Sequence, residues 1–206
     1  MLKVMIVDEV VARAEVLQRV LTHSGYKVIA CAPSTSDLNR QVGALKPDII
    51  IIDIDSPDHD TLENLCVVNR DEPCPVVMFT HDGDSEKIRA ATRAGVSAYV
   101  VDGMAPERVG PIIGAAVARF EQFQALKRDL EQLEDKLADR KVIERAKGIL
   151  MRSRSLSEED AYAALRKQAM EKNARLAEVA HQVIAVAGLA AHKRVARARL
   201  ISTTCE

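Results

Sequence analysis

The 206 residues are 48% hydrophobic and 29% charged, which provides enough apolar side chains for a buried core and fits one large domain with a smaller one. Aromatic residues make up only 3%, with no tryptophan, which argues against an RNA-binding surface built from stacked aromatic rings. The formal net charge is −1, but the charges are unevenly distributed. Residues 1–140 hold 16 Lys/Arg and 23 Asp/Glu (net −7), whereas residues 141–200 hold 13 Lys/Arg and 6 Asp/Glu (net +7). We therefore expect the two ends of the chain to bind different partners.

Short apolar runs alternate with helical stretches in the first half of the chain. Runs without polar alternation, such as PDIIIID (47–53), indicate strands that are buried on both faces. Helical spacing separates the runs, and one polar-capped helix is predicted to begin at Ser34 or Ser36. Elements that alternate about every 25 residues predict an α/β fold with a doubly wound parallel sheet. The predicted strands are 3–7, 26–31, 47–53, 74–80 and 97–101.

Acidic residues follow the carboxyl ends of three predicted strands, which is the edge where such sheets place their chemistry. Asp8 and Glu9 follow the first strand, Asp53 and Asp55 the third, and Asp102 the fifth. We expect Asp8, Glu9 and Asp53 to converge, where like charges are costly unless a cation lies among them. Carboxylate oxygens suit Mg²⁺. The alternative is a set of solvated loop acids.

From about Pro106 the spacing predicts one long helix with an a/d coiled-coil face of roughly two heptads. The apolar residues of this face recur at intervals of three and four, and they are Phe123, Leu126, Leu130, Leu133 and Leu137. We expect the face to pair with that of a second copy and so to form a homodimer. The alternative is that these side chains pack on the surface of their own domain.

A small helical unit is predicted after the coiled coil. Ser157, followed by three acids, predicts a helix N-terminus, Asn173 ends that helix, and a last helix begins near Leu176. The basic span suits phosphate contacts, although a solvated helix face is the simpler explanation for any one cation. The candidates for RNA contact are Arg145, Lys147, Arg152, Arg154, Arg166, Lys167, Lys172, Asn173 and Arg175.

The cysteines and the N-terminus bear on the cellular compartment. The four cysteines show no CxxC spacing and no cluster with histidine, which argues against structural zinc and for reduced thiols. The first nine residues reach two acids, unlike a signal peptide, and no apolar run approaches the ~18 residues of a membrane span. We therefore expect a cytoplasmic protein with no membrane partner.

The N-terminal part, residues 1–120, resembles the receiver domain of two-component response regulators. The resemblance is carried by IVDE (6–9), DIIIIDIDSPDHD (48–60), VVMFT (76–80) and AGVSAYVV (94–101). It implies a flavodoxin-like (βα)5 receiver-type fold in which Asp53 is the phosphoacceptor. It also implies switch-like roles for Thr80 and Tyr99, and a Mg²⁺ site formed by Asp8, Glu9 and Asp53 with the main-chain carbonyl of Asp55.

Asp102 departs from the receiver pattern, because active receivers carry a lysine at this position. That lysine binds the phosphoryl oxygens, and losing one charge-assisted hydrogen bond costs about 1.5–3 kcal/mol. Any phosphorylation of Asp53 is then expected to be slow and poorly coupled to conformational change. The alternative view of Asp102 is a turn residue pointing to water, with the missing lysine as the whole effect.

The C-terminal part, residues 144–184, resembles the ANTAR domain, a three-helix RNA-binding output module. The matching pieces are AKGILM (146–151), LSEEDAY (156–162), LR (165–166), AM (169–170) and LAEVA (176–180). The resemblance extends to NasT-like antiterminators of nitrate and nitrite assimilation, which are related to AmiR. It implies binding of leader-mRNA stem-loops, control by a ligand-sensing protein of the NasS type rather than by phosphorylation, and no enzymatic activity.

The predicted organisation is a receiver-like domain (1–120), a coiled-coil linker (121–141), an ANTAR domain (142–190) and a basic, disordered tail (191–206). No cofactor is required, and Mg²⁺ at the acid cluster is optional. One alternative is a phosphorylation-activated regulator acting on DNA or RNA. Another is a Mg²⁺-dependent phosphohydrolase, which lacks a convincing acid/base pair because His81 is the only histidine near the cluster.

Overall fold

A computed structural model of the chain describes residues 1–102 and 106–187, apart from the side chain of Pro106. The chain divides into two compact units, residues 1–126 and 127–206. The predicted basic tail (191–206) lies outside the described residues. Within the described ranges, no helix is both long and apolar enough to cross a membrane.

The first unit is a five-stranded parallel sheet with helices between the strands, which confirms the predicted flavodoxin-like fold. Its strands lie in the order β2-β1-β3-β4-β5. They are β1 (Lys3–Asp8), β2 (Lys27–Ala32), β3 (Ile49–Asp53), β4 (Val76–Thr80) and β5 (Ala98–Val101). The helices are α1 (Val11–His23), α2 (Leu38–Leu45), α3 (His59–Asp71), α4 (Ser85–Arg93) and the start of α5 (Pro106–Arg154).

The central strands are buried on both faces, as their unbroken apolar sequences predict. Every residue of β3 and β4 is buried. Because successive side chains of a strand point to opposite faces, Ile50 and Ile52 join one apolar cluster while Ile49 and Ile51 join another. Two covered faces leave the carboxyl ends of the strands as the edge on which polar groups are exposed to ligands.

The start of α2 differs from the prediction of Ser34 or Ser36. The helix begins at Leu38, with Asp37 at its N-cap position. The Ser34 hydroxyl accepts from the Ser36 amide at 3.4 Å and lies 3.1 Å from the Ser36 hydroxyl, so both serines belong to the segment before the helix. The prediction was wrong because such local bonds between a side chain and the backbone compete with helix capping.

The second unit contains the later part of α5, then α6 (Glu158–Lys172) and helical residues 176–187. Ser157 caps α6 by accepting a hydrogen bond from the Asp160 amide at 3.1 Å, and Asn173 ends α6 in the left-handed conformation (φ 49°), both as the sequence predicts. The core is built from small and aliphatic side chains: Ala146, Leu150, Ala161, Leu165, Ala169, Val179 and Ala180. The predicted domain boundaries at residues 120 and 141 stay predictions, since α5 runs through both without a break.

Candidate functional site

Two buried carboxylates meet at the carboxyl edge of the sheet. Asp8 ends β1, Asp53 ends β3, and the parallel register of these strands places the two residues opposite each other. The side chain of Asp8 is fully buried and that of Asp53 is 11% exposed. Two ionised carboxylates this close repel, so a cation or a proton must lie with them.

Arg13, in the first turn of α1, supplies that cation. Its guanidinium lies 3.0 Å from the carboxylate of Asp8 and 3.4 Å from that of Asp53. It also lies 3.1 Å from the carboxylate of Asp55 and donates to the main-chain carbonyl of Asp53 at 3.1 Å. The sequence analysis missed this role. The available signal was an arginine five residues after a strand-end aspartate, which is within reach of that strand's carboxyl end.

The charges of this cluster shift the pKa values of its members. The hydrogen bond to Asp8 is the main reason that the pKa of Arg13 lies above its ordinary value, and burial offsets this only in part. The pKa of Asp53 is raised because burial disfavours the ionised carboxylate more than Arg13 favours it, and Asp8 adds repulsion. Ionised Asp53 is therefore a net cost to the folded state.

The two predicted switch residues are held by main-chain groups of neighbouring loops. The hydroxyl of Thr80 donates to the carbonyl of Asp55 at 2.8 Å and accepts from the amide of Asp82 at 3.1 Å. The hydroxyl of Tyr99 donates to the carbonyl of Asp82 at 2.8 Å. Both side chains thus stabilise the loops that follow β3 and β4.

A second cation, Lys87 in the first turn of α4, lies at the same edge. Its ammonium is 2.6 Å from the carboxylate of Asp82 and 2.6 Å from the hydroxyl of Ser56. Ser56 also donates to Asp82 at 2.7 Å, so the three groups form a closed triangle. The hydrogen bond from Lys87, followed by that from Ser56, holds the pKa of Asp82 below its usual range.

Asp102 lies just after β5 in a turn and is exposed. Its φ of 61° is in the left-handed region, which aspartate tolerates better than most residues. Its amide donates to the carbonyl of Thr80 at 3.1 Å, and this bond continues the pairing of β5 with β4. This placement supports the alternative in which Asp102 is a turn residue exposed to water.

Most of the candidate RNA-contact residues lie on the surface of the second unit. Some of them have partners there: Arg175 lies 2.8 Å from the carboxylate of Asp139, and Lys172 donates to Gln182 at 2.7 Å. The exposed candidates are Arg145, Arg152, Arg154, Arg166, Lys167, Lys172, Asn173 and Arg175.

Lys147 is placed differently from the phosphate contact that the sequence analysis expected. It is 7% exposed, and its ammonium lies 2.9 Å from Glu144 and 2.6 Å from Glu158. These carboxylates belong to α5 and to the first turn of α6, so the lysine connects the two helices. Its charge is directed at protein acids within the unit.

An open groove of about 570 Å³ lies at the C-terminal end of α6. Arg166, Asn173 and Arg175 line it together with Tyr162 and Met170. Tyr162 is 44% exposed and Met170 is 73% exposed. The groove therefore combines cations, which suit phosphates, with apolar faces on which an unpaired base can pack.

Two family models match the chain. The response regulator receiver domain matches residues 4–112, which is more than half of the chain, and the ANTAR domain matches residues 131–184. The chain belongs to the ANTAR response regulators.

Known proteins resemble this regulator over different parts of its length. The transcriptional regulatory protein PdtaR of Mycobacterium tuberculosis is 28% identical over 181 residues, which cover 88% of each chain. The nitrate regulatory protein of Klebsiella oxytoca is 44% identical over 68 residues, which cover 33% of this chain and 17% of that protein. The solved signal receiver domain of a modulated diguanylate cyclase from Desulfovibrio desulfuricans G20 superposes with a TM-score of 0.53 at 23% identity. The superposed part covers 59% of this chain and 98% of that domain. At this identity the likeness shows the fold alone.

Receiver domains commonly bind Mg²⁺ at this acidic edge, but the side chains of this regulator are arranged differently. Arg13 already contacts Asp8 and Asp53, and the carbonyl of Asp55 accepts from Thr80 at 2.8 Å and from the His81 amide at 3.3 Å. Glu9 is exposed, and across residues 1–102 and 106–187 no group of three His, Cys, Asp or Glu side chains is placed to hold a metal ion. A divalent ion does not fit here unless Arg13 leaves.

Replacing Asp53 with asparagine should raise the free energy of unfolding at neutral pH, because the folded-state pKa of Asp53 lies above its unfolded value. Between those two pKa values the folded chain binds more protons than the unfolded chain, so the stability of the wild type falls as the pH rises. The advantage of D53N should grow with pH across this acid interval and then level off. Urea unfolding followed by circular dichroism at a series of pH values measures it.

Asp82→Asn is the matched control, since the pKa of Asp82 is shifted the other way. The ionised Asp82 carboxylate stabilises the folded state at pH values above its pKa in the unfolded chain. That contribution is lost as the pH falls through its lower pKa in the folded chain. D82N should therefore be less stable than the wild type at neutral pH, with the difference shrinking in acid. A D53N variant that behaves like D82N would contradict the assignment.

Proposed function

We propose that this regulator is an RNA-binding transcription antiterminator that binds leader-mRNA hairpins of nitrate or nitrite assimilation genes. It is controlled by a ligand-sensing partner protein of the NasS type rather than by phosphorylation. The observation that carries the proposal is the ANTAR match over residues 131–184, which includes all nine candidate RNA-contact residues. Both matched families are regulatory domains, so the proposed role is not enzymatic.

RNA binding is supported by the surface of the second unit. Its exposed cations suit the phosphate backbone, and the groove beside Tyr162 and Met170 offers apolar contact to loop bases. Charge alone does not select RNA over DNA, and the ANTAR match is what favours RNA. The nitrate assignment is supported by the NasT-like motifs and by the 44% identity to the Klebsiella nitrate regulatory protein over 68 residues.

Control without phosphorylation is supported by the carboxyl edge of the sheet. One carboxylate oxygen of Asp53 faces Arg13 at 3.4 Å, and the hydroxyl of Thr80 is already bonded on both its donor and acceptor sides. Position 102 carries an exposed aspartate instead of a lysine. An incoming phosphoryl group would lack its cationic anchor and would have to break existing bonds. A protein partner is then the simpler source of the signal.

The proposed function is tested by fluorescence anisotropy with leader RNA that carries paired hairpins and with duplex DNA of the same sequence. The proposal expects RNA binding at least about tenfold tighter than DNA binding at physiological salt. Incubation with acetyl phosphate and Mg²⁺ should leave the RNA affinity unchanged. Equal affinity for RNA and DNA would contradict the RNA assignment. A large gain in affinity on labelling of Asp53 would favour a phosphorylation-activated regulator.

Salt dependence separates phosphate contacts from internal ion pairs. Arg166→Gln should reduce the slope of log affinity against log salt by about 0.7–0.9 for the lost phosphate contact. Lys147→Gln should leave that slope unchanged and lower the thermal unfolding midpoint instead, because its ammonium faces Glu144 and Glu158. The two glutamine variants are matched in the charge that they remove. Equal changes of slope would contradict the internal role of Lys147.

Dimerisation through α5 is the second part of the proposal. Five large apolar side chains recur on one face of this helix, and every one of them is more than half exposed to solvent. Such a regular, exposed apolar stripe is typical of a coiled-coil face that packs against the same face of a second helix. The exposed fractions are 60% for Phe123, 68% for Leu126, 57% for Leu130, 62% for Leu133 and 55% for Leu137.

Leu130→Glu should convert the proposed dimer into a monomer, because it places a carboxylate in the middle of the apolar stripe. Sedimentation equilibrium measures the change in mass. Gln132→Glu is the matched control: it adds the same group to α5 off the stripe and should leave the dimer intact. A wild-type chain that sediments as a monomer, or a dimer that tolerates L130E, would rule out pairing through this face.

A further inference from the structure

We infer that Arg13 is a built-in counter-ion: its guanidinium takes the place that a divalent cation would hold among the acids of this receiver. The carboxyl edge of the sheet is then neutralised without Mg²⁺. The inference concerns the receiver unit alone and goes beyond the proposed function. It would stand even if the second unit did not bind RNA, and RNA binding could stand without it.

Arg13 joins acidic residues from three segments of the chain. Its Nε donates to both carboxylate oxygens of Asp8, at 3.1 and 3.0 Å. Its two terminal nitrogens donate to the Asp55 carboxylate and to the Asp53 carbonyl, each at 3.1 Å. A guanidinium carries five N–H donors in a rigid fork, so one side chain can reach groups from β1, β3 and the following loop. A divalent ion gathers carboxylate and carbonyl oxygens in the same way.

The carboxylate oxygens of Asp8 are already used as hydrogen-bond acceptors. The carboxylate of Asp8 accepts from the Val10 amide at 2.8 Å as well as from Arg13. Among the described residues, Asn39 Oδ1 is the one buried side-chain nitrogen or oxygen without a hydrogen-bond partner, and it does not belong to the cluster. Both carboxylate oxygens of Asp8 therefore accept from Arg13, and Oδ2 of Asp53 lies 3.4 Å from the Nε of the same guanidinium.

The other expected metal ligands are Glu9 and the main-chain carbonyl of Asp55. Glu9 is exposed, and the carbonyl of Asp55 is turned to Thr80 and to the amide of His81. Assembling a metal shell would require these groups to move as well as Arg13. A divalent ion that entered beside the guanidinium would meet a like charge. Binding of Mg²⁺ and the ion pair of Arg13 with Asp53 are thus mutually exclusive.

Arg13 is held in position by a regular element. It lies in the first turn of α1, directly after β1, and its side chain is 27% exposed. A cation carried on a helix is present at a fixed stoichiometry and at every Mg²⁺ concentration. The acidic edge of this receiver is therefore permanently compensated, and its structure does not depend on the supply of a metal ion.

The inference is tested on the full-length chain by isothermal titration calorimetry with MgCl₂ and by thermal unfolding with and without the salt. The wild type should show no saturable binding at millimolar Mg²⁺ and no shift of its unfolding midpoint. Arg13→Gln removes the charge and should gain Mg²⁺ affinity by at least about tenfold. Its midpoint should rise when Mg²⁺ is added. Arg19→Gln is the matched control, since Arg19 lies on the same helix, is 78% exposed and pairs with Glu15; it should behave as the wild type.

Two outcomes would overturn the inference: a wild type that binds Mg²⁺ as tightly as R13Q, or an R13Q variant that folds and gains no affinity. If R13Q does not fold, the wild-type chain decides the question alone. Mn²⁺ at submillimolar concentration should then leave the amide NMR signals of Asp8 and Asp53 unbroadened. Selective broadening of these two signals would show that a metal ion reaches the acids despite Arg13 and would end the inference.

Discussion

The ion cluster of Arg13 with Asp8 and Asp53 is the constraint on which the receiver unit depends. The parallel register of β1 and β3 forces two buried carboxylates together, and the strands cannot pair in this way without a compensating charge. Without the guanidinium, the two carboxylates would face each other uncompensated unless one of them took up a proton. Here the compensating cation is part of the chain.

An internal cation changes what the edge can do. The loops after β3 and β4 contribute Asp55, Ser56 and Asp82 to this edge. Here Arg13, together with Lys87 and its partners Asp82 and Ser56, already bonds those loops to α1 and α4. In the proposed function, this edge would serve as a docking surface for the sensing partner. RNA contact would then fall to the exposed cations of the second unit.

The sequence predicted the fold well because its main signals are local. Unbroken apolar runs marked the buried strands, and the positions of Asp8 and Asp53 at strand ends followed from them. The role of Arg13 was missed because it depends on acceptor groups 5, 40 and 42 residues away that only the folded sheet brings together. Lys147 resembled any surface cation in the sequence, whereas in the fold its ammonium pairs with Glu158, 11 residues further along. Charges were visible in the sequence, but their pairing was not.

The most direct test of this view of the receiver is the amide NMR spectrum of the full-length chain with beryllofluoride and Mg²⁺, a mimic of an aspartyl phosphate. An edge that is compensated from within predicts unchanged signals for Thr80 and Tyr99 at saturating beryllofluoride. Large, saturable shifts of those two signals in the wild-type chain would contradict it, because they would show that an external anion and metal still displace Arg13 and operate the switch.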